Sequence, residues 1–519
     1  MKKLIIIGSL IIPFFFSCKK VLNTSPYNSI TSATAFATDA RCDLSLNGVY
    51  DAAQSGLYTD GSRRGYPFGA ANITQGDCRG EDVVNAAAFY QITYQATYNS
   101  SAANCIGMWK GLYALINEAN VCISGFKGAA ASNIITSSKM TQYVAECRFL
   151  RAMAHHEALI QFARPYMDGA GKGLGVPWRD TAIASSSAVA SILATPRMRT
   201  DSVYANILAD LDYAEANLPV TNLVYRATKA AAIALKMRIK LHMGDWAGVI
   251  TEGNKIISGS TSFTSPIGAW TLTASPDGPF VSNSTKESIF SIKNDALDNP
   301  GVNAALAGMY MPTDRKGRGL IIISPVLWNN PSWACDDKRR SLLAVTGVDA
   351  NNNKGWLIYK YRDSTGLSDY APQIRYAEVL LTMAEAQART GPGVSATALA
   401  LLNAVRNRSV TNVAEQYTLA SFTTQSDLVK AILFERRVEF VGEGKRWSDI
   451  SRLAPDPAYS TGGIPAKAVN GADGLAIYNC GGGYTPGQAA IPYSDYRFVW
   501  PIPLTEIQQN PIIAQNPQY

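Results

Sequence analysis

The feature that most constrains the fold is a helical stripe of apolar and small side chains that recurs along the chain. In the segment QYVAECRFLRAMAHHEALIQF the stripe consists of Tyr143, Cys147, Leu150, Ala154, Ala158 and Phe162. A repeat of three or four positions is the period of an amphipathic helix, which buries its apolar face against a neighbour. Because alanines keep this face thin, we expect the neighbouring helix to approach closely.

The stripes group into pairs of helices. The helix above is predicted to pair with SVYANILADLDYAEANL, which Thr200 or Asp201 should cap. A second pair lies in RATKAAAIALKMRIKLHMGDWAGVITEGNKII, where Gly244 should end one helix and Asp245 should begin the next.

Two more pairs complete the predicted scaffold. A third joins QIRYAEVLLTMAEAQART to SATALALLNAVRNRS through a Gly-Pro-Gly turn, and the helix DLVKAILFERRVEF follows it, ending at Gly442 before RWSDISRL. The segments ARCDLSLNGVYDAAQSG and CIGMWKGLYALINEANVCI can supply a fourth pair. The pattern predicts a mainly α fold of about four tetratricopeptide-like helix pairs with irregular spacing. A plain helical bundle is the alternative on periodicity alone.

Long irregular inserts interrupt these helices. The stretch from about residue 259 to 372 lacks helical periodicity and is rich in Gly, Pro, Asn, Ser and Asp. Irregular segments of this length inside compact proteins are uncommon and usually functional. Four of the nine tryptophans fall in it, namely Trp270, Trp328, Trp333 and Trp356. We therefore predict that this insert carries the ligand surface, together with a second patch over residues 58–84; a third, over 459–493, is interpreted as plain connection.

The N-terminus has the form of a bacterial lipoprotein signal. Two lysines precede an apolar block from Leu4 to Phe16, and Ser17-Cys18 follows. That block is about 13 residues long, whereas a helix that spans a membrane needs roughly 20. Residues 1–17 are therefore predicted to be a cleaved signal peptide, with lipid attached to the Cys18 thiol. An ordinary cleaved signal with an incidental cysteine is the alternative.

Composition and charge exclude several classes of protein. The chain has 47% hydrophobic and 17% charged residues, which is typical of a globular protein. The formal net charge is +7, but the lysines and arginines are scattered among acidic residues and form no basic block. A nucleic-acid role is therefore not expected. The eight cysteines contain no C-x-x-C pair, which excludes a dense disulfide framework. One bridge, for example between Cys78 and Cys105, remains open.

Catalytic and metal-binding motifs are absent from the sequence. With three histidines there is no H-E-x-x-H, and G-x-S-x-G is missing as well. His155 and His156 are neighbours on a helix and point about 100° apart, so we expect one to be packed and the other solvated. The segment GAGKGLG at 169–175 lacks the order of a phosphate-binding loop and is interpreted as a surface turn. Neither a metal nor a cofactor is predicted.

Paired carboxylates are the remaining sign of enzymatic chemistry. A glycosidase needs only two carboxylates about 5 to 9 Å apart, and Glu81/Asp82 and Asp336/Asp337 lie in irregular regions. Adjacent acids of this kind more often face solvent or pair with nearby arginines, here Arg79 and Arg339. We therefore expect no catalytic role for them.

Six blocks of the sequence together carry a family resemblance. They are AECRFLRAMAHHEALIQFARP, LHMGDWAGVI, IRYAEVLLTMAEA, LNAVRNRS, FERRVEFVGEGKRWSDISRL and FVWPIPLTEIQQNPIIAQNPQY. In this order they resemble the SusD/RagB family of Bacteroidetes outer-membrane nutrient-uptake lipoproteins, and the resemblance runs from Cys18 to Tyr519. It implies a SusD-like domain over 18–519, with an N-terminal half at about 18–258 and a C-terminal SusD/RagB half at about 259–519.

The resemblance also implies a function. Such a protein is expected to sit on the outer membrane at the cell surface, anchored through lipid on Cys18, as a lid over a SusC-like TonB-dependent transporter. It would capture an oligosaccharide or polysaccharide and deliver it to that transporter without catalysing a reaction. A peptide- or other-nutrient-binding member of the family is one alternative, and a helical surface glycoside hydrolase is another.

Sugars offer an apolar C–H face and a rim of hydroxyls, which flat rings and a few polar groups can bind. We therefore predict Trp328 and Trp333 as stacking platforms, Tyr310 as a platform with a hydroxyl, and Arg79 with Asp77 as hydroxyl partners. Each aromatic can instead be the core of its loop. Three tryptophans are assigned to the scaffold: Trp246, Trp447 and Trp500. Four arginines on predicted helices are expected to form ion pairs or to contact the transporter barrel: Arg375, Arg406, Arg436 and Arg437.

Overall fold

The computed structural model describes residues 32–55, 65–193, 195–259, 262–469 and 474–519. The predicted signal peptide and the lipidated Cys18 lie outside the described residues. The helices of the first half are α1 (Ser32–Ala35), α2 (Asp39–Gln54), α3 (Ala70–Cys78), α4 (Ala88–Tyr94), α5 (Ala103–Ala131), α6 (Ser137–Phe162), α7 (Ser186–Ile192), α8 (Thr200–Asn217), α9 (Lys229–Met243) and α10 (Trp246–Ile256).

The second half alternates short helices and strands before the long helices return. Its helices are α11 (Gly278–Val281), α12 (Leu306–Tyr310), α13 (Pro325–Trp328), α14 (Arg339–Leu342), α15 (Tyr376–Thr390), α16 (Ala396–Arg406), α17 (Gln425–Phe440), α18 (Lys445–Leu453) and α19 (Leu504–Gln509). The strands are β1 (Val83–Asn85), β2 (Ser288–Ile292), β3 (Ile321–Ile323), β4 (Ala344–Val348), β5 (Lys354–Ile358), β6 (Ala371–Arg375), β7 (Gly463–Ile464), β8 (Lys467–Ala468), β9 (Pro486–Gln488) and β10 (Ile491–Pro492).

The long helices pack serially, in the order of the chain. Helix α2 packs on α5, α5 on α6, α6 on α8, α8 on α9, α9 on α10, and α10 on α15, which also contacts α16 and α17. This arrangement confirms the predicted mainly α, tetratricopeptide-like scaffold. The alanines of α6 explain its close neighbours, since Ala152, Ala154 and Ala158 are fully buried. In the ranges described, no helix combines the length and the apolarity needed to cross a bilayer.

Two predicted helix boundaries illustrate how local chemistry ends and begins a helix. Gly244 closes α9 in the left-handed conformation at φ +71°, which costs glycine nothing. Asp245 then caps α10, because its side chain accepts the Gly248 N–H at 2.9 Å. The predicted cap of α8 is wrong: Arg199 occupies the cap position. The Thr200 hydroxyl donates to the Gly173 carbonyl and Asp201 binds the Arg199 guanidinium, so neither side chain caps the helix.

The irregular insert over 259–372 contains no long helix, as predicted, but it is built from strands. A four-stranded sheet runs in the order β1-β3-β5-β4, and β2 pairs separately with β6. Strand β1 belongs to the patch over 58–84 and pairs antiparallel with β3, with Val83 opposite Ile323. Two segments that are far apart in sequence thus form one buried sheet.

The predicted bridge between Cys78 and Cys105 is wrong. Each of these thiols is enclosed in the core on its own helix, and burial raises the pKa of both. The bridge that forms joins Cys335 to Cys480, across 145 residues. It attaches the 459–493 segment to the insert, so that segment is more than the plain connection expected.

The prediction that one of the two adjacent histidines is solvated is also wrong, because both lie in the core. His155 stacks on Trp178 with ring centroids 4.0 Å apart, and His156 packs edge to face on His242 at 4.8 Å. Burial lowers the pKa of His155 and of His156 to about 3, so both rings are neutral.

A buried network of ion pairs joins the insert to the last long helices. Glu439 on α17 accepts hydrogen bonds from Arg339 at 2.9 Å, Arg375 at 3.0 Å and Arg408 at 2.7 Å. Arg375 also binds Glu287 and Glu443. The expectation that Arg375, Arg406, Arg436 and Arg437 form ion pairs is therefore confirmed. Arg375 itself ends strand β6 rather than lying on a helix.

Candidate ligand-binding site

A cleft of about 370 Å³ opens where the second half of α2 meets the end of β2. Its size falls in the range of small-molecule sites, roughly 300 to 1,000 Å³. We refer to it as the tyrosine cleft. Its lining residues are Asn47, Tyr50, Asp51, Gln54, Leu223, Tyr225, Arg226, Ile292, Lys293 and Asp298.

The base of the tyrosine cleft is fixed by one buried carboxylate. Glu146 on α6 is fully buried and accepts hydrogen bonds from the Tyr50 hydroxyl and from Arg226 Nε, both at 2.6 Å. The Tyr50 oxygen in turn accepts the Ala227 N–H at 3.0 Å. Burial, reinforced by the Glu146 charge, raises the pKa of Tyr50 well above its usual value. Burial alone would lower the pKa of Arg226, but its bonds to Glu146 raise it, so Tyr50 is neutral and Arg226 is charged.

One wall of the cleft is aromatic. Tyr225 lies half-buried on the short segment before α9 and packs edge to face on Tyr370, with ring centroids 6.1 Å apart. The Lys293 ammonium lies 5.3 Å from the Tyr225 ring and binds Asp295 at 2.9 Å. Gln54 donates to the Lys293 carbonyl at 2.8 Å and so holds α2 against this wall. Flat rings therefore stand beside charged and amide groups of both donor and acceptor type.

The predicted platforms Trp328 and Trp333 lie elsewhere, in a tryptophan cluster that we define as Trp328, Trp333, Trp356, Tyr478 and Arg340. Trp328 stacks on Trp356 at 4.5 Å and meets Trp333 edge to face at 5.4 Å. The Arg340 guanidinium covers the Trp333 ring at 4.2 Å and donates to the Trp328 and Trp333 carbonyls. The Cys335–Cys480 bridge closes the cluster on one side. Trp328 is 6% and Trp333 2% exposed, so both rings are core residues of their loops.

The other three predicted site residues are also internal. The Tyr310 hydroxyl donates to Asp77 Oδ2 at 2.9 Å, and the Gly444 N–H donates to Asp77 Oδ1 at 3.1 Å. Arg79 lies 3.4 Å from the Trp447 ring centroid and donates to Gln161 at 2.8 Å and to the Phe498 carbonyl at 2.6 Å. The structure thus brings Tyr310 to Asp77 and Trp328 to Trp333, but none of the five lines the tyrosine cleft.

The acidic pair Glu81/Asp82 is held by arginines, although not by the predicted Arg79. Arg437 and Arg446 bind both carboxylates, at 2.5 to 3.5 Å. Burial would raise the pKa of Glu81, but the two arginines lower it to about 2. The pairing of Asp337 with Arg339 is as expected, at 2.7 Å. Among the residues described, no three His, Cys, Asp or Glu side chains converge to hold a metal ion.

Sequence reasoning missed the residues of the tyrosine cleft. Tyr50 and Gln54 lie on α2, whereas Tyr225 and Lys293 come from two connections more than 150 residues further along. No motif joins them. The available signal in the sequence was a tyrosine in a short connection, Tyr225, and tyrosine is too common to stand out.

Comparisons with known proteins agree on one family. A family model described as "SusD family" matches residues 340–519, and one described as "Starch-binding associating with outer membrane" matches residues 22–241. SusD-like protein P38 of Formosa agariphila is 23% identical over 97% of this chain and 96% of its own length.

Solved structures show the same likeness. A SusD superfamily protein from Bacteroides fragilis superposes with a TM-score of 0.74 at 27% identity, covering 92% of this chain and 99% of that one. The surface glycan-binding protein A from Bacteroides uniformis superposes with a TM-score of 0.68 at 21% identity, covering 92% and 99%. The two family models match both halves of the sequence in order, and the fold agrees along nearly the whole chain. This protein belongs to the SusD/RagB family.

Proposed function

We propose that this protein binds an oligosaccharide in the tyrosine cleft and delivers it to a SusC-like TonB-dependent transporter, without breaking a bond. The observation that carries the proposal is the composition of the cleft: half-buried tyrosine rings beside charged and amide groups. A pyranose presents an apolar face to such rings and hydroxyls to such polar groups.

Family membership supports the proposed location. One matching family is described as starch-binding and associated with the outer membrane, and a structural neighbour is a surface glycan-binding protein. We place the protein on the outer membrane at the cell surface, anchored through lipid on Cys18. This anchor would leave the helical scaffold outside the bilayer with the cleft available to solvent.

The rigidity of the cleft favours recognition over catalysis. Glu146, buried behind the cleft, accepts bonds from Tyr50 and Arg226 and so fixes two of the lining side chains. Because these side chains are held before a ligand arrives, binding costs little conformational entropy. A preformed site of this kind suits capture and release of a nutrient.

That Trp328, Trp333, Tyr310, Arg79 and Asp77 contact the ligand stays a prediction. Their side chains are 0 to 6% exposed, so a sugar would reach them only after the covering loops moved. The tyrosine cleft needs no such movement, and we therefore propose it as the binding surface in their place.

Isothermal titration against a panel of oligosaccharides and peptides tests the proposal. Tyr225→Ala should weaken binding of the preferred oligosaccharide by about tenfold, since an aromatic anchor carries a large share of the affinity at such a site. Tyr484→Ala is the matched control, because Tyr484 is an exposed tyrosine on another loop. Its affinity should equal that of the wild type.

Three results would contradict the proposal. Unchanged affinity in a folded Tyr225→Ala variant would reject the cleft, and binding of peptides alone would favour the other-nutrient alternative. New reducing ends after incubation with the bound oligosaccharide would show an enzyme. Delivery has its own test: the lipidated protein should co-purify with a TonB-dependent transporter from outer membranes. Recovery of the lipidated protein without any transporter would reject the delivery step.

A further inference from the structure

A second cavity lies beside α5 and shares no lining residue with the tyrosine cleft. We call it the α5 cavity. Its volume is about 120 Å³, and its walls come from α5, the connection at 177–183, α7 and α19. The lining residues that matter for its chemistry are Trp109, Tyr113, Arg179, Ile183, Ile192 and Glu506.

The α5 cavity is a built structure, because side chains of α5 hold the connection that forms its wall. The Tyr113 hydroxyl donates to the Pro177 carbonyl at 2.9 Å. Asn117 exchanges two hydrogen bonds with the backbone of Ile183, at 2.8 and 3.2 Å. Asn120 donates to the Arg179 carbonyl at 3.2 Å. These residues recur every three or four positions, so one face of α5 positions the whole connection.

The backbone of Arg179 is fixed from a second side. Its N–H donates to His155 Nε2 at 3.2 Å, and His155 Nδ1 lies 3.0 Å from the Arg151 carbonyl. Since Nε2 accepts, Nδ1 must carry the proton and donate, which is the neutral form of the ring. Arg179 is thus presented to the cavity at a defined place.

The side chain of Arg179 is unusual among the buried arginines of the described ranges. Most of these arginines bind a carboxylate; the exceptions are Arg79, Arg179, Arg197 and Arg340. Arg197 makes five bonds to carbonyl and amide oxygens, and Arg79 and Arg340 combine two or three such bonds with an aromatic ring.

Arg179 differs from these three arginines. Its guanidinium makes a single side-chain hydrogen bond, from Nη1 to the Ile192 carbonyl at 3.1 Å. A guanidinium has five N–H donors, and the remaining donors of Arg179 are not among the buried unbonded atoms of the described structure, so they are open to a ligand that enters the cavity. An anionic oxygen pair entering the cavity would satisfy them.

A carboxylate also lines the same cavity. Glu506 on α19 is half-buried, and its Oε2 accepts the Trp109 indole N–H at 3.1 Å. No ion pair joins Glu506 to Arg179 within the described structure. One cavity therefore presents a cation and an anion that make no direct ion pair but attract each other across it, between apolar walls formed by Ile183 and Ile192.

We propose that the α5 cavity binds a small zwitterion, an α-amino acid with an aliphatic side chain. Its carboxylate would bind Arg179, its ammonium group would lie against Glu506 and the Trp109 ring, and its side chain would contact the two isoleucines. This site is separate from the oligosaccharide cleft, so the two proposals can fail independently.

Isothermal titration of the purified full chain with L-valine tests the proposal. L-valine should bind, and two analogues should bind at least about tenfold more weakly, because each loses one charge-assisted contact. The analogues are isovalerate, which lacks the ammonium group, and isobutylamine, which lacks the carboxylate. This comparison uses the wild-type protein and does not depend on the folding of any variant.

Two variants locate the site. Arg179→Gln and Glu506→Gln should each lower the affinity for L-valine at least about tenfold; the glutamine at 506 keeps an oxygen for the Trp109 N–H. Arg199→Gln is the control, since Arg199 is exposed and pairs with Asp201, and its affinity should not change. Unchanged oligosaccharide binding by all three variants would show that they are folded. Failure of L-valine to bind, equal binding of isovalerate, or full affinity in Arg179→Gln would overturn the proposal.

Discussion

Replacing Glu439 by glutamine should destabilise the protein more than any single surface change. Glu439 is 1% exposed and accepts hydrogen bonds from three buried arginines, Arg339, Arg375 and Arg408. Removing its charge leaves this buried network one negative charge short, although each arginine keeps another carboxylate: Asp337 for Arg339, Glu443 for Arg375 and Glu287 for Arg408. Breaking a buried ion pair from one side costs about 3 to 5 kcal/mol, a large part of a typical total stability of about 5 to 15 kcal/mol.

The pH dependence provides an independent estimate of the same free energy. Burial would raise the pKa of Glu439, but Arg408, Arg375 and Arg339 lower it from 4.5 to about 2. At 1.36 kcal/mol for each pKa unit, this shift corresponds to roughly 3 kcal/mol. Because the folded-state pKa lies below the unfolded value, that stabilisation is present above pH 4.5 and is lost as the pH falls towards 2.

Urea denaturation followed by tryptophan fluorescence, at pH 7 and at steps down to pH 3, measures this free energy of unfolding. Glu439→Gln should lose about 3 to 5 kcal/mol at pH 7, and the difference from the wild type should shrink below pH 4.5. Glu215→Gln is the matched control: Glu215 is partly exposed, and of the two lysines that it binds, the buried Lys236 keeps Asp212 and Glu252 while Lys255 is half-exposed, so the loss should be at most about 1 kcal/mol. A loss below 1 kcal/mol for Glu439→Gln, or one independent of pH, would refute the reasoning.

Two further predictions concern residues that the sequence assigned to the ligand. The Trp328→Ala/Trp333→Ala variant should lose at least about 3 kcal/mol of stability by urea denaturation, with oligosaccharide affinity unchanged where it folds; lost affinity at full stability would instead restore these rings as platforms. Burial raises the pKa of Asp77 to about 8 against the opposing hydrogen bonds from Tyr310 and Gly444. The folded state therefore favours the protonated carboxyl group, whose contribution to the free energy of unfolding is complete below pH 3.8 and is lost as the pH rises to 8. Asp77→Asn, which cannot ionise, should therefore gain stability over the wild type between pH 4 and 8, and a constant difference across this range would contradict the assignment.

The scaffold was predictable because each long helix carries its own local signals. The apolar period of α6, the left-handed Gly244 and the Asp245 cap all act within a few residues. The cap of α8 was not predictable in this way, since Thr200 is drawn to Gly173 by a contact that no local pattern encodes.

The binding site was harder to predict because exposure is a property of the assembled chain. Trp328 and Trp333 are of the residue type expected for stacking on a sugar, yet Arg340 and Trp356 cover them. Burial of a large aromatic ring contributes more free energy than burial of a smaller side chain, so a tryptophan in a loop is more often buried than exposed. Tyr225 remains at the surface because Tyr370 and Lys293 flank it without enclosing it.

Among the described residues, five cysteines lie outside the Cys335–Cys480 bridge, and all five are buried. A thiol exchanges with a disulfide only as an accessible thiolate, and burial raises the pKa of Cys78, Cys105, Cys122 and Cys147. Once the helices have formed, an oxidant can make this one link without exchange with the buried thiols. The packed helices thus also protect the buried thiols from forming incorrect disulfides under oxidising conditions.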